Sequence, residues 1–119
     1  MSVQFIDHKG VSILYTDLSK KSKDENMEVM EQAKKIIGMR PEKSVLVILN
    51  VEGMRYSKEF LDKMKAIGKA NEPYVKATAI LGLTAVTKLI AKGVAQFTGR
   101  KSGFFDGEQE ALDWLVEQY

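Results

Sequence analysis

The side chains able to do chemistry are few and scattered. His8 is the single histidine, and there is no cysteine. That excludes a thiolate metal site, a catalytic thiol, a disulfide frame and a multi-histidine centre. Asp7 and Asp17 flank one apolar run, and carboxylates do paired acid–base work only where the fold brings them together. His8 falls in Asp7-His8-Lys9-Gly10, a segment with turn chemistry. The expectation there is an exposed imidazole with no nucleophile at a helpful spacing, hence no catalytic role. Neither G-x-x-x-x-G-K nor G-x-G-x-x-G occurs, so Gly53 and Gly82 do not make a phosphate loop. These residues point away from an enzyme and imply no cofactor and no metal.

Two further features bear on binding. Ser57 precedes a helical pattern, where a serine is a plain N-cap or, because a helix N-terminus stabilises an added anion, a phosphoryl acceptor. Thr84 has the same pair of readings. From Pro73 to Phe105 there is no acidic residue, while Lys76, Lys88, Lys92, Arg100 and Lys101 are present. On a helical wheel Lys88, Lys92 and Gln96 lie opposite Val86, Leu89, Ile90, Val94 and Phe97. Such a helix either packs on a core with solvated lysines or touches an anionic membrane surface through Lys88, Lys92, Arg100 and Lys101. Gly93 on its apolar side implies a close approach to a strand or a weak point where the helix swings.

The elements that must position these residues read clearly. The 119 residues are 45% hydrophobic and 29% charged with a net charge of +2. This is the profile of one globular domain over 1–119, with too little positive charge for a general nucleic-acid binder. No apolar run approaches the roughly 20 residues of a membrane span, and no signal peptide is visible, so the expected location is the cytoplasm. Val3 to Asp7 and Val11 to Thr16 predict an antiparallel hairpin. Ser22-Lys23-Asp24-Glu25 is a capping box before a helix with Met27, Met30, Ala33, Ile36 and Ile37 inward. Ser44 to Val51 and Val75 to Leu83 are continuous, β-branched runs, the mark of central parallel strands. A helix from Ser57 lies between them with Phe60, Leu61, Met64, Ile67 and Gly68 on one face. A third helix runs from Thr84 to Gly99. Then come a short strand at Gly103-Phe104-Phe105 and a last helix capped by Asp106, with Ala111, Leu112 and Leu115 inward and Trp114 partly exposed. The order β-β-α-β-α-β-α-β-α predicts an α/β fold with a mixed, mostly parallel sheet.

This ordered set resembles the STAS-like domains, in particular the SpoIIAA-like group, whose fold is shared with the CRAL-TRIO (Sec14-type) lipid-binding proteins. The segments that carry the resemblance are Val45 to Gly53, Thr78 to Thr84, Phe97-Thr98-Gly99-Arg100, and Phe105 to Leu115 with its F-D-x-x-x-x-A-L-x-W-L pattern. The resemblance implies a bacterial, non-catalytic regulatory or ligand-binding protein. Members that antagonise anti-sigma factors carry an Asp-Ser-Ser-Gly-type motif with a phosphorylated serine after the third strand. Here that stretch reads Val51-Glu52-Gly53-Met54-Arg55-Tyr56-Ser57, without the Ser-Ser-Gly element, and the nearest hydroxyl is Ser57. The resemblance further implies that an apolar ligand enters between helices and sheet, against Met54, Tyr56, Met64, Ile90, Val94 and Phe97.

The expectation is therefore a cytoplasmic binding or regulatory module, monomer or homodimer. Its partners would be a small apolar or lipid-like ligand, a protein, or a membrane surface touched peripherally. The alternative is a partner-switching signalling protein controlled by phosphorylation at Ser57.

Overall fold

The computed structural model describes residues 2–20, 22–54, 57–85, 88–89, 92–93 and 101–119. Five strands, β1 (Val3–His8), β2 (Val11–Asp17), β3 (Val45–Asn50), β4 (Val75–Leu81) and β5 (Ser102–Phe105), form one sheet in sequential order. β1 and β2 are antiparallel, and β2, β3, β4 and β5 run parallel. Three helices are described in full: α1 (Lys23–Gly38), α2 (Lys58–Asn71) and α3 (Glu108–Gln118). Of the helix expected from Thr84 to Gly99, residues 85, 88–89 and 92–93 are helical and Thr84 precedes them outside the helix; residues 86–87, 90–91 and 94–99 lie outside the described residues.

The topology decides which helix covers which face. Parallel crossovers are right-handed, and the strands are added in one direction. The β2–α1–β3 and β3–α2–β4 units therefore place α1 and α2 on the same face, and the two helices touch. α3 leaves the last strand and folds back over the opposite face, against β4, β5 and β3. The side-chain period of two sorts the strand residues accordingly. Leu14, Val45, Val47 and Ile80 face α1 and α2, with Met30, Ala33, Ile37, Phe60 and Ile67 above them. Ile13, Leu46, Ile48, Ala77, Ala79 and Leu81 face α3, with Ala111, Leu112 and Leu115 above them.

The caps follow the sequence with one exception. Ser22 and Glu25 form the reciprocal capping box, and Ser57 caps α2 by accepting from Phe60 N at 3.1 Å. α3 begins one residue later than expected, at Glu108. Its N-cap is Gly107, with no side-chain cap bond, so Asp106 does not cap it. The acids Glu108 and Glu110 in the first turn complement the dipole there instead.

The stripe of α1 is rotated by one residue from the expected one. Asn26 and Val29 are buried with Met30, Ala33 and Ile37, whereas Met27 and Ile36 are half-buried. A polar residue thus occupies a core position. Asn26 is 1% exposed, and among the described residues neither its Nδ2 nor its Oδ1 has a hydrogen-bond partner; the buried Thr16 Oγ1 has none there either. Other departures concern surface positions. Leu89, expected to face inward, is 71% exposed. A Cβ on Gly93 would meet nothing within 4 Å among the described residues. Trp114, by contrast, is partly exposed as expected and packs against Phe105 with ring centroids 5.4 Å apart. Gly103 makes room for that pair, since a Cβ there would sit 2.7 Å from the Phe105 ring.

Candidate functional site

The carboxyl ends of β2, β3 and β4 lie side by side, and the chain leaves each strand there through a short polar turn. Such an edge is where open parallel sheets commonly bind ligands. Backbone bonds tie the turns together. Leu18 N donates to Asn50 O at 2.8 Å, Lys20 N to Glu52 O at 3.2 Å, and Val51 N to Leu81 O at 2.9 Å. Gly82, at φ +86°, approaches the next turn so closely that a Cβ would fall 2.7 Å from Glu52 Cα. Only glycine fits both the dihedral and the space.

Polar side chains complete this edge. Asn50 Oδ1 accepts from Glu52 N at 3.1 Å, and its Nδ2 donates to the Tyr15 hydroxyl at 3.1 Å. The Glu108 carboxylate, in the first turn of α3, acts on the same hydroxyl. Burial pushes the Tyr15 hydroxyl above its ordinary value; the Asn50 bond acts against this, and the Glu108 carboxylate adds to the rise. Asp17 Oδ1 accepts from Ser19 N at 2.9 Å and from Ser19 Oγ at 2.5 Å. Lys23 and Glu59 pair at 2.6 Å across the starts of α1 and α2, which holds the Glu59 carboxyl below its usual range. Lys63 and Glu31 form a second bridge between these helices.

At the opposite end of the sheet the hairpin turn is pinned to α3. His8 Nε2 lies 2.8 Å from Asp113 Oδ1, Lys9 Nζ 3.0 Å, and Gln109 Nε2 donates to the same oxygen at 3.1 Å. The His8 bond foremost, then the Lys9 bond, holds the Asp113 carboxyl down to about 2. The imidazole side chain is 17% exposed, so His8 is half-buried rather than exposed, and its partner is structural. Sequence spacing gave no sign of this pair, because its members are 105 residues apart.

The expected site residues fall in different places. Met54 is buried in the layer under α1 and α2, and Met64 packs against that layer. Ser57 is half-buried at the start of α2. Tyr56, Ile90, Val94, Phe97 and Arg100 lie outside the described residues. Lys92 and Lys101 are exposed; Lys88 is half-buried, its Nζ 3.9 Å from Asp106 Oδ1, so an acid stands beside the basic segment. Among the described residues no group of three His, Asp or Glu side chains is placed to hold a metal ion. No helix among them is long and apolar enough to cross a membrane. A shallow groove on α2, lined by Asp62, Lys65, Ala66, Lys69 and Ala70, shares no residue with the expected sites.

The chain matches no protein-family model and no curated protein sequence. Solved structures do match it over nearly its whole length. An uncharacterized protein of the DUF3478 family with a SpoIIAA-like fold, from Shewanella loihica PV-4, superposes with a TM-score of 0.67 at 19% identity, over 95% of this chain and 91% of that one. The fold is that of the SpoIIAA-like, STAS domains. An anti-sigma-factor antagonist (STAS) domain protein from Planctomyces limnophilus agrees, with a TM-score of 0.59 at 12% identity, over 96% of this chain and 97% of that one. In this STAS-like sheet, Ser57 stands at the junction of β3 and α2.

Proposed function

We propose that the chain is a non-catalytic regulatory module that works by binding a protein partner at the carboxyl edge of its sheet. The observation that carries this reading is the turn between β3 and α2. It is held on one side by Asn50 and on the other by the contact of Glu52 with Gly82, and it ends in the Ser57 cap. Asn50 and Glu52, held in this way, present their polar groups in one arrangement, which favours selective contact at low entropic cost. Its resemblance to an anti-sigma-factor antagonist domain supports the same class of function. Ser57 is the hydroxyl best placed for control. A phosphoryl group there would gain from the α2 dipole but displace the present cap bond to Phe60 N.

The test is a comparison of partner capture by the wild-type chain and by Ser57→Asp, alongside intact-mass measurement of the protein from its native cell. A partner held by the wild type and released by Ser57→Asp is the expected result. Identical capture, with no phosphate on Ser57, contradicts control at this position.

A second reading is favoured by Met54 and Met64, which share the layer beneath α1 and α2. Methionines adapt to a changing shape, and they support a site for a small apolar ligand between these helices and the sheet. Native mass spectrometry of freshly purified protein tests it. A co-purified apolar molecule is expected, and clean apoprotein counts against it.

A further inference from the structure

The α1/α2 layer contains a polar spot that its packing does not explain. Thr16 lies between Leu14 and Leu18 in sequence and shares their face of the sheet. Asn26 lies on the stripe of α1 with Met30, Ala33 and Ile37, which rest on that same face. α1 starts where β2 ends, so both residues sit at the carboxyl end of the layer. Asn26 Nδ2, Asn26 Oδ1 and Thr16 Oγ1 are all buried without a hydrogen-bond partner among the described residues. Leaving such atoms unpaired destabilises a fold, and an apolar residue of the same shape would serve the core better. Together they offer two amide donors, a carbonyl acceptor and a hydroxyl that does either. Val3 pairs with Thr16 across the hairpin, and the layer they share is otherwise apolar. No charged side chain is buried among the described residues, so nothing there would compensate an ion.

We infer that Asn26 and Thr16 are the polar anchor of a binding site for an uncharged group that both donates and accepts a hydrogen bond, carried on an apolar molecule. A primary amide or a hydroxyl fits; an ionised carboxylate or ammonium does not. The first turn of α1 is the natural entrance, since it is held to α2 by the exposed Lys23–Glu59 pair, a contact of the weak, surface kind. This inference rests on the second reading above and names the chemistry of that ligand.

The test is an NMR titration of the whole chain with octanamide, octanoate and octylammonium at neutral pH. It follows the Asn26 side-chain amide and the Met54 and Met64 methyls. Octanamide is expected to shift the Asn26 amide and the methyls together and to bind roughly tenfold tighter than either ion. Asn26→Leu is expected to bind octanamide roughly tenfold more weakly while its Tm rises by about 4 °C. Thr16→Val, an isosteric change, gives the same directions if Asn26→Leu fails to fold. Methyl shifts without an Asn26 shift, or unchanged affinity in the variants, overturn the anchor and leave the apolar-ligand reading standing. A long-lived water on the Asn26 amide with no response to octanamide anywhere overturns both.

Discussion

The layer between α3 and the sheet is filled by Ala77, Ala79, Ala111, Leu112, Leu115 and Ile48, with no unpartnered polar atom among its described residues. It is tied at both ends. The Tyr15 hydroxyl faces the Glu108 carboxylate at one, and His8 and Lys9 hold Asp113 towards the other. The layer under α1 and α2 differs on each count. It includes the adaptable Met30 and Met54, and it encloses Asn26 and Thr16 without partners among the described residues. Its helices are joined by solvent-facing lysine–glutamate pairs. Small residues allow a helix to lie close and leave little to rearrange, whereas flexible side chains around unpaired polar atoms have other arrangements within reach. One side of the sheet is therefore a fixed support and the other the side able to change.

The largest effect is expected in the fixed layer. Leu115→Ala, at a fully buried position, removes contacts that a close-packed layer cannot recover and should cost about 3 kcal/mol in equilibrium denaturation. A loss below about 1 kcal/mol would mean that α3 is loosely seated. The opposite sign is expected across the sheet. Asn26→Leu should raise stability by about 1–2 kcal/mol, because it replaces an unpaired amide with an apolar side chain. A large loss would show that the amide has a structural partner. Ser57→Ala removes the α2 cap and should cost about 1 kcal/mol. The smallest effect is acid sensitivity of the α3 anchor. Asp113 is lowered from 3.8 to about 2, so its contribution is complete above its unfolded value. It is lost as the pH falls through that window. Asp113→Asn should lower stability at neutral pH, where the ionised carboxylate contributes in full, and flatten the acid limb of the stability profile.

Much of this contrast was legible in the sequence, and the reasons differ by element. The runs VLVILN and VKATAIL have no polar face, which is how a strand covered on both sides must look, and they became β3 and β4. The Ser22–Glu25 box and the Ser57 cap are local bonds, and local chemistry reads directly from spacing. The face assignment of α1 was less legible. A stripe drawn through apolar residues alone passes over Asn26, although its spacing from Met30, Ala33 and Ile37 marks it as inward. The reach of His8 to Asp113 and of Tyr15 to Glu108 depends on how α3 folds back over the sheet, which no local pattern records. Leu89 shows the converse, an apolar residue on a helical wheel that the fold leaves at the surface.

The contrast between the layers is tested most directly by native-state amide hydrogen exchange, resolved by residue. The first half of α1, residues 23–30, is expected to exchange through an opening of lower free energy than residues 111–115 of α3, which should exchange only with the central strands. Exchange in α3 at lower free energy than in α1, or equal protection of both helices up to global unfolding, would contradict the assignment of α1 to the changeable side.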